Sequence, residues 1–118
     1  MHVRYDQLVR DRIPEIIRQE GLRCESEEME QQEYRERLRE KIIEEALEVA
    51  AASPDSLVEE LGDLYEAIES LMVSYGIEAA TVANAQAQKR RERGGFHGRV
   101  KLLWVERDEP DEKSGDGI

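Results

Sequence analysis

Two short stretches of the chain carry acids at spacings that could do chemistry. Lys41-Ile-Ile-Glu-Glu-Ala-Leu-Glu48 and Leu57-Val-Glu-Glu-Leu-Gly-Asp63 both read apolar, apolar, acid, acid, apolar, small or apolar, acid, and the second repeats the first fifteen positions later. At about 100° per residue, Ile42, Ile43, Ala46, Leu47, Val49 and Ala50 form one helical stripe with Glu45 and Glu48 on its margin, one turn apart. Leu57, Leu61, Leu64, Ile68, Leu71 and Met72 form a second stripe, with Glu60 and Asp63 on the corresponding margin. Two helices packed by these stripes bring four carboxylates together. Two carboxylates about 5 Å apart repel by roughly 3 kcal/mol at an effective dielectric of about 20, so the cluster calls for a cation among them. Hard oxygen donors without His or Cys suit Mg²⁺ or Mn²⁺ better than zinc. The bland alternative is that Glu is a good helix former and a margin Glu is simply solvated.

A second charged feature has the opposite sign. Lys89-Arg-Arg-Glu-Arg-Gly-Gly-Phe96 places four basic residues within five positions before two glycines, in a chain of net charge −11. It reads either as an anion-binding segment or as a helix end whose cations favour the C-terminal dipole. Arg10 and Arg12 flank the apolar side of an opening helix and could likewise contact phosphate or water. An acidic cluster for a divalent cation beside such cations is what polyphosphate cleavage requires. No Gly-rich P-loop is present, and the two histidines, His2 and His97, do not support catalysis by a histidine pair.

The elements that must position these residues are helices. Asp11 can cap a first short helix with Pro14 in its first turn, ending near Gly21. Residues 22–28 read as a connector, and a long helix is expected from about Met29 to Ala52, its first half nearly all charged. Ser53-Pro54-Asp55 breaks the pattern, with Ser53 or Asp55 available as a cap, and a third helix should run to Tyr75 and stop at Gly76. Gly62 within it implies close backbone approach or tolerance. Ile77 to about Arg91 reads as an Ala-rich fourth helix. Val100 to Val105 has strand propensity and could pair with residues 22–26 or pack as a tail. Tyr65 and Tyr75 fall on the apolar stripe and are expected in the core. The expected fold is all-α, a bundle of four to five helices with a short C-terminal extended segment, in one domain over residues 1–106, followed by an acidic disordered tail over 107–118.

The totals narrow the partners. Seventeen basic against 28 acidic residues argue against general binding to nucleic acid or an anionic membrane. The single cysteine, Cys24, excludes a disulfide framework, and no apolar run approaches eighteen residues, so a soluble cytoplasmic protein is expected.

Glu44-Glu45-Ala-Leu-Glu48 followed by Glu60-Leu-Gly-Asp63 resembles the EExxE…ExxD signature of the MazG-type all-α nucleoside triphosphate pyrophosphohydrolases. Leu8-Val-Arg-Asp-Arg-Ile-Pro-Glu-Ile-Ile17 and Lys89 to Phe96 resemble the start and end of a MazG-like branch, so the likeness spans residues 5–96. Residues 41–75 are also similar to phosphoribosyl-ATP pyrophosphohydrolase, of the same superfamily. The resemblance implies Mg²⁺-dependent hydrolysis between the α and β phosphates of a nucleotide, yielding a monophosphate and pyrophosphate, for nucleotide-pool cleaning or for histidine biosynthesis. By position it implies Glu45, Glu48, Glu60 and Asp63 as metal ligands, and Glu44 as a further ligand or the group that orients water. Glu44 and Glu45 would be catalytic, Lys89 and Arg93 would contact phosphate, and Arg10 and Asp11 would line the site. It also implies a homodimer or larger homo-oligomer. A metal- or nucleotide-binding helical module without turnover is the alternative from another class.

Overall fold

The computed structural model describes residues 1–108. The fold is all-α, with four helices and no strand among the described residues: α1 (Ile13–Gln19), α2 (Gln31–Ala51), α3 (Leu57–Ser74) and α4 (Ala79–Arg93). The chain groups into two compact units, Met1–Asn84 and a second that begins at Ala85. The C-terminal part of the segment expected to be disordered, from 109 onward, lies outside the described residues.

The first unit is built on α2 packed against α3, joined by the five residues Ala52 to Ser56. The loop is shaped by Ser56, whose Oγ donates to the Ser53 carbonyl at 3.3 Å while its N–H reaches the same oxygen at 3.1 Å. Ser56, not Ser53 or Asp55, occupies the cap position of α3, and its hydroxyl is spent on the loop rather than on the helix N–H groups. Asp11 is likewise not the cap of α1: Arg12 holds that position, because the Ile13 N–H closes a turn onto the Arg10 carbonyl at 3.0 Å. Pro14 sits in the first turn as expected, where a missing N–H costs nothing.

The C-terminal ends of α1 and α3 follow the glycine rule. Gly76 adopts φ +68°, its N–H bonds the Val73 carbonyl at 3.0 Å, and the Ile77 N–H bonds the Met72 carbonyl at 2.9 Å, a Schellman closure. Gly21 closes α1 in the same way onto Arg18, with Leu22 bonding Ile17. The connector after it folds back on α1, with Arg18 Nη2 donating to the Cys24 carbonyl at 3.5 Å.

Burial differs from the stripe pattern. Leu38, in the nearly all-charged first half of α2 that could have faced solvent or covered a partner's surface, is the most buried hydrophobic among the described residues, at 3% exposure. Ile43 and Leu47, expected to be packed, are 62% and 65% exposed. On α3 the side that packs is Leu64, Ala67 and Leu71, whereas Leu57, Leu61 and Ile68 are exposed. Tyr65 and Tyr75 are exposed and not core residues. The apolar surface of α3 is wider than one partner helix can cover, so each stripe splits into a packed and an open side. Gly62 does not mark close approach, since a Cβ built there meets nothing within 4 Å.

In the second unit, residues 94–108 follow α4 without regular structure, and Val100 to Val105 form no strand. Their backbone carries neither ladder nor helix bonds there, and their side chains stand in solvent, Trp104 included.

Candidate metal centre

The two acidic motifs meet. Carboxylate oxygens of Glu45 from α2 and of Glu60 and Asp63 from α3 lie within 4.8 Å of one another. Antiparallel pairing through a five-residue loop sets the two margins side by side, because Glu45 is seven positions before the loop and Glu60 four after it. Glu48, one turn beyond Glu45, is exposed and close enough that its charge acts on Glu60.

The electrostatics show the expected strain. Partial desolvation, then the negative charges of Glu48, Asp63, Glu45 and Glu59, push the Glu60 carboxyl above its ordinary value of 4.5. Two cations offset the rest. Arg10 Nη2 donates to Asp63 Oδ1 at 2.8 Å, and Lys41 Nζ lies 3.6 Å from Glu45 Oε1. The Arg10 contact follows from the turn that Ile13 closes, which carries the preceding segment onto α3. The Lys41 contact is an i, i+4 pair along α2 that leaves the Glu45 carboxylate arm only 15% exposed.

The donor set fits a hard divalent cation. Three carboxylates whose oxygens all lie within 4.8 Å of one another, with no His or Cys beside them, are donors of the kind such an ion takes. Glu45, Glu60 and Asp63 would hold the ion, with Glu48 available beside them.

The remaining residues implicated by sequence are placed as follows. Glu44 is exposed on α2, adjacent in sequence to Glu45 but outside the three-carboxylate group. Asp11 is exposed in the turn before α1. Arg10 is brought to the cluster, as a partner of Asp63. Lys89 and Arg93 lie on the last turns of α4 in the second unit, where Gly94 ends the helix by bonding the Arg90 carbonyl at 2.8 Å. Lys41 and Glu59 were not singled out from the sequence. Lys41 could have been, since a Lys four positions before a Glu on a helix is a readable pair.

Comparison with known protein families, with curated proteins and with solved structures finds no match for this chain.

Proposed function

We propose that this protein is a Mg²⁺-dependent nucleotide pyrophosphohydrolase, cleaving a nucleoside triphosphate or related nucleotide between the α and β phosphates. The observation that carries this reading is the convergence of Glu45, Glu60 and Asp63, from two helices, where Arg10 pairs with Asp63 and Lys41 with Glu45 but no ion pair is formed by Glu60 among the described residues. A bound Mg²⁺ supplies charge neutralisation on the phosphates and a water of lowered pKa. The chain's own residues do the rest. Glu45, Glu60 and Asp63 would hold the ion, and Glu48 would add negative charge beside it. Arg10 reaches the cluster from outside the helix pair, so in this reading it would exchange Asp63 for a phosphate oxygen when substrate arrives. Glu44, exposed and next to Glu45 in the chain, would be a further ligand or would orient the attacking water in this reading.

A second copy of the chain is part of the proposal. Ile43 and Leu47 on α2, with Val58 and Tyr65 on α3, are each more than 60% exposed. Apolar surface of this kind is usually an interface.

A binding-only reading rests on one observation, that Arg10 and Lys41 already pair with two of the cluster's carboxylates. The deciding experiment is pyrophosphate release from a panel of common and damaged nucleoside triphosphates and phosphoribosyl-ATP, with Mg²⁺ and with EDTA, for the parent and Glu45→Gln. Magnesium-dependent release that Glu45→Gln lowers by about a hundredfold or more, as loss of a group acting in the transition state does, is the expected outcome. A folded, Mg²⁺-binding protein that leaves every substrate intact would establish the binding module instead.

A further inference from the structure

Residues 1–84 carry nine Lys and Arg against 21 Asp and Glu, a net charge of −12. In such surroundings a guanidinium without a carboxylate partner stands out. Arg4, Arg10, Arg12, Arg37 and Lys41 each have one, whereas Arg18, which turns to the Cys24 carbonyl, Arg23, Arg35 and Arg39 do not. Arg35 and Arg39, one turn apart on α2, both turn instead to Tyr75 at the end of α3. The Arg35 guanidinium stacks 3.9 Å from the ring centroid, and that of Arg39 lies 5.7 Å away. Arg39 Nη2 also donates to the Tyr75 hydroxyl at 3.2 Å. Glu36 precedes Arg39 by three positions on the same helix, within reach, yet the two do not pair.

Capping accounts for part of this. α3 has no basic residue in its last turn, and Arg35 Nη2, together with Gln31 Nε2 at 3.3 Å, donates to the Ser74 carbonyl there. It leaves the Arg35 Nε–H enclosed without a partner and leaves Arg39 unexplained. These side chains border a pocket of about 360 Å³ whose remaining walls are Gln32 and Glu36.

We propose that this pocket binds the phosphate group of a small phosphate monoester, held chiefly by Arg39 with Arg35 behind it. Two guanidinium groups against one carboxylate leave a positive charge in an otherwise acidic unit. Donors arriving from two separate forks suit the three terminal oxygens of a phosphate better than the two of a carboxylate. The volume exceeds that of phosphate alone and is of the size of a small-ligand site, so the esterified part would meet the amides of Gln31 and Gln32. Arg35 and Glu45 are ten residues apart on α2, about 15 Å along its axis, which makes this a second site, independent of the metal centre and of its proposed activity.

Inorganic phosphate is the probe, added to metal-free protein at an ionic strength held constant with chloride, with acetate in a parallel series. The readout is the Tyr75 phenol, followed by NMR of labelled tyrosine rings and assigned with Tyr75→Phe. The hydrogen bond from Arg39, then the charges of Arg39 and Arg35, hold that phenol below the ordinary tyrosine value of 10.0. Phosphate bound at the guanidinium groups should raise it saturably. Arg39→Ala should weaken phosphate by about tenfold, the loss of one charge-assisted contact of about 1.4 kcal/mol, and Glu36→Gln should tighten it. Arg37→Ala should change nothing, since Arg37 already pairs with Glu33 and Glu40. A Tyr75 titration indifferent to phosphate overturns the proposal. So does acetate matching phosphate, or phosphate affinity retained in a folded Arg39→Ala protein.

Discussion

Glu60 is where the balance of the acidic cluster can be measured. Its pKa is raised in the folded state, so the folded chain binds a proton more tightly there than the unfolded chain does. The stability that this proton contributes is complete below the ordinary glutamate value and is lost as the pH rises through the raised one. At neutral pH the ionised Glu60 therefore destabilises the fold, through partial desolvation and repulsion from Glu48, Asp63, Glu45 and Glu59. Glu60→Gln should melt higher than the parent at neutral pH without divalent cations, and the advantage should shrink on acidification below the ordinary value. Adding Mg²⁺ should raise the parent's Tm and do less for the variant. Melting curves that run parallel across the pH range would show that the cluster exerts no such strain.

At the level of elements, α3 and the turn that closes it hold two glycines with opposite demands. Gly76 holds φ +68° to close the helix, and an L side chain there costs about 1 kcal/mol or more. Gly62 is helical, exposed and open to a Cβ, so Gly62→Ala should gain up to about 1 kcal/mol. Urea unfolding midpoints should move in opposite directions for Gly76→Ala and Gly62→Ala. The sequence made the helices legible because Gly21, Gly76 and the Ser-Pro-Asp break are punctuation with a local physical cause. It made the acid convergence legible because the motifs share one register on two helices. It did not reveal which side of each stripe packs, since Leu38 and Leu47 are equally apolar and only the crossing of α2 over α3 distinguishes them. The stacking of Arg35 and Arg39 on Tyr75 was illegible for a similar reason: 36 positions separate Arg39 from that ring, and no local spacing links them.

For the molecule as a whole, the open stripe of α2 and α3 sets the strongest expectation about assembly. Ile43, Leu47, Val58 and Tyr65 in solvent cost the free chain apolar hydration that a second copy would relieve. The Tm should then rise with protein concentration, and Leu47→Glu should abolish that dependence and halve the mass seen by sedimentation. A concentration-independent Tm with a monomer mass would leave these residues as plain surface. No helix among the described residues is long and apolar enough to cross a membrane. The brevity of the Ala52 to Ser56 loop has a kinetic side. The three carboxylates of the cluster lie within nineteen consecutive residues, so closing the chain around them costs little entropy and needs no distant segment. The acidic cluster can thus assemble as soon as the α2–α3 hairpin is complete, with no later segment of the chain needed to bring its carboxylates together.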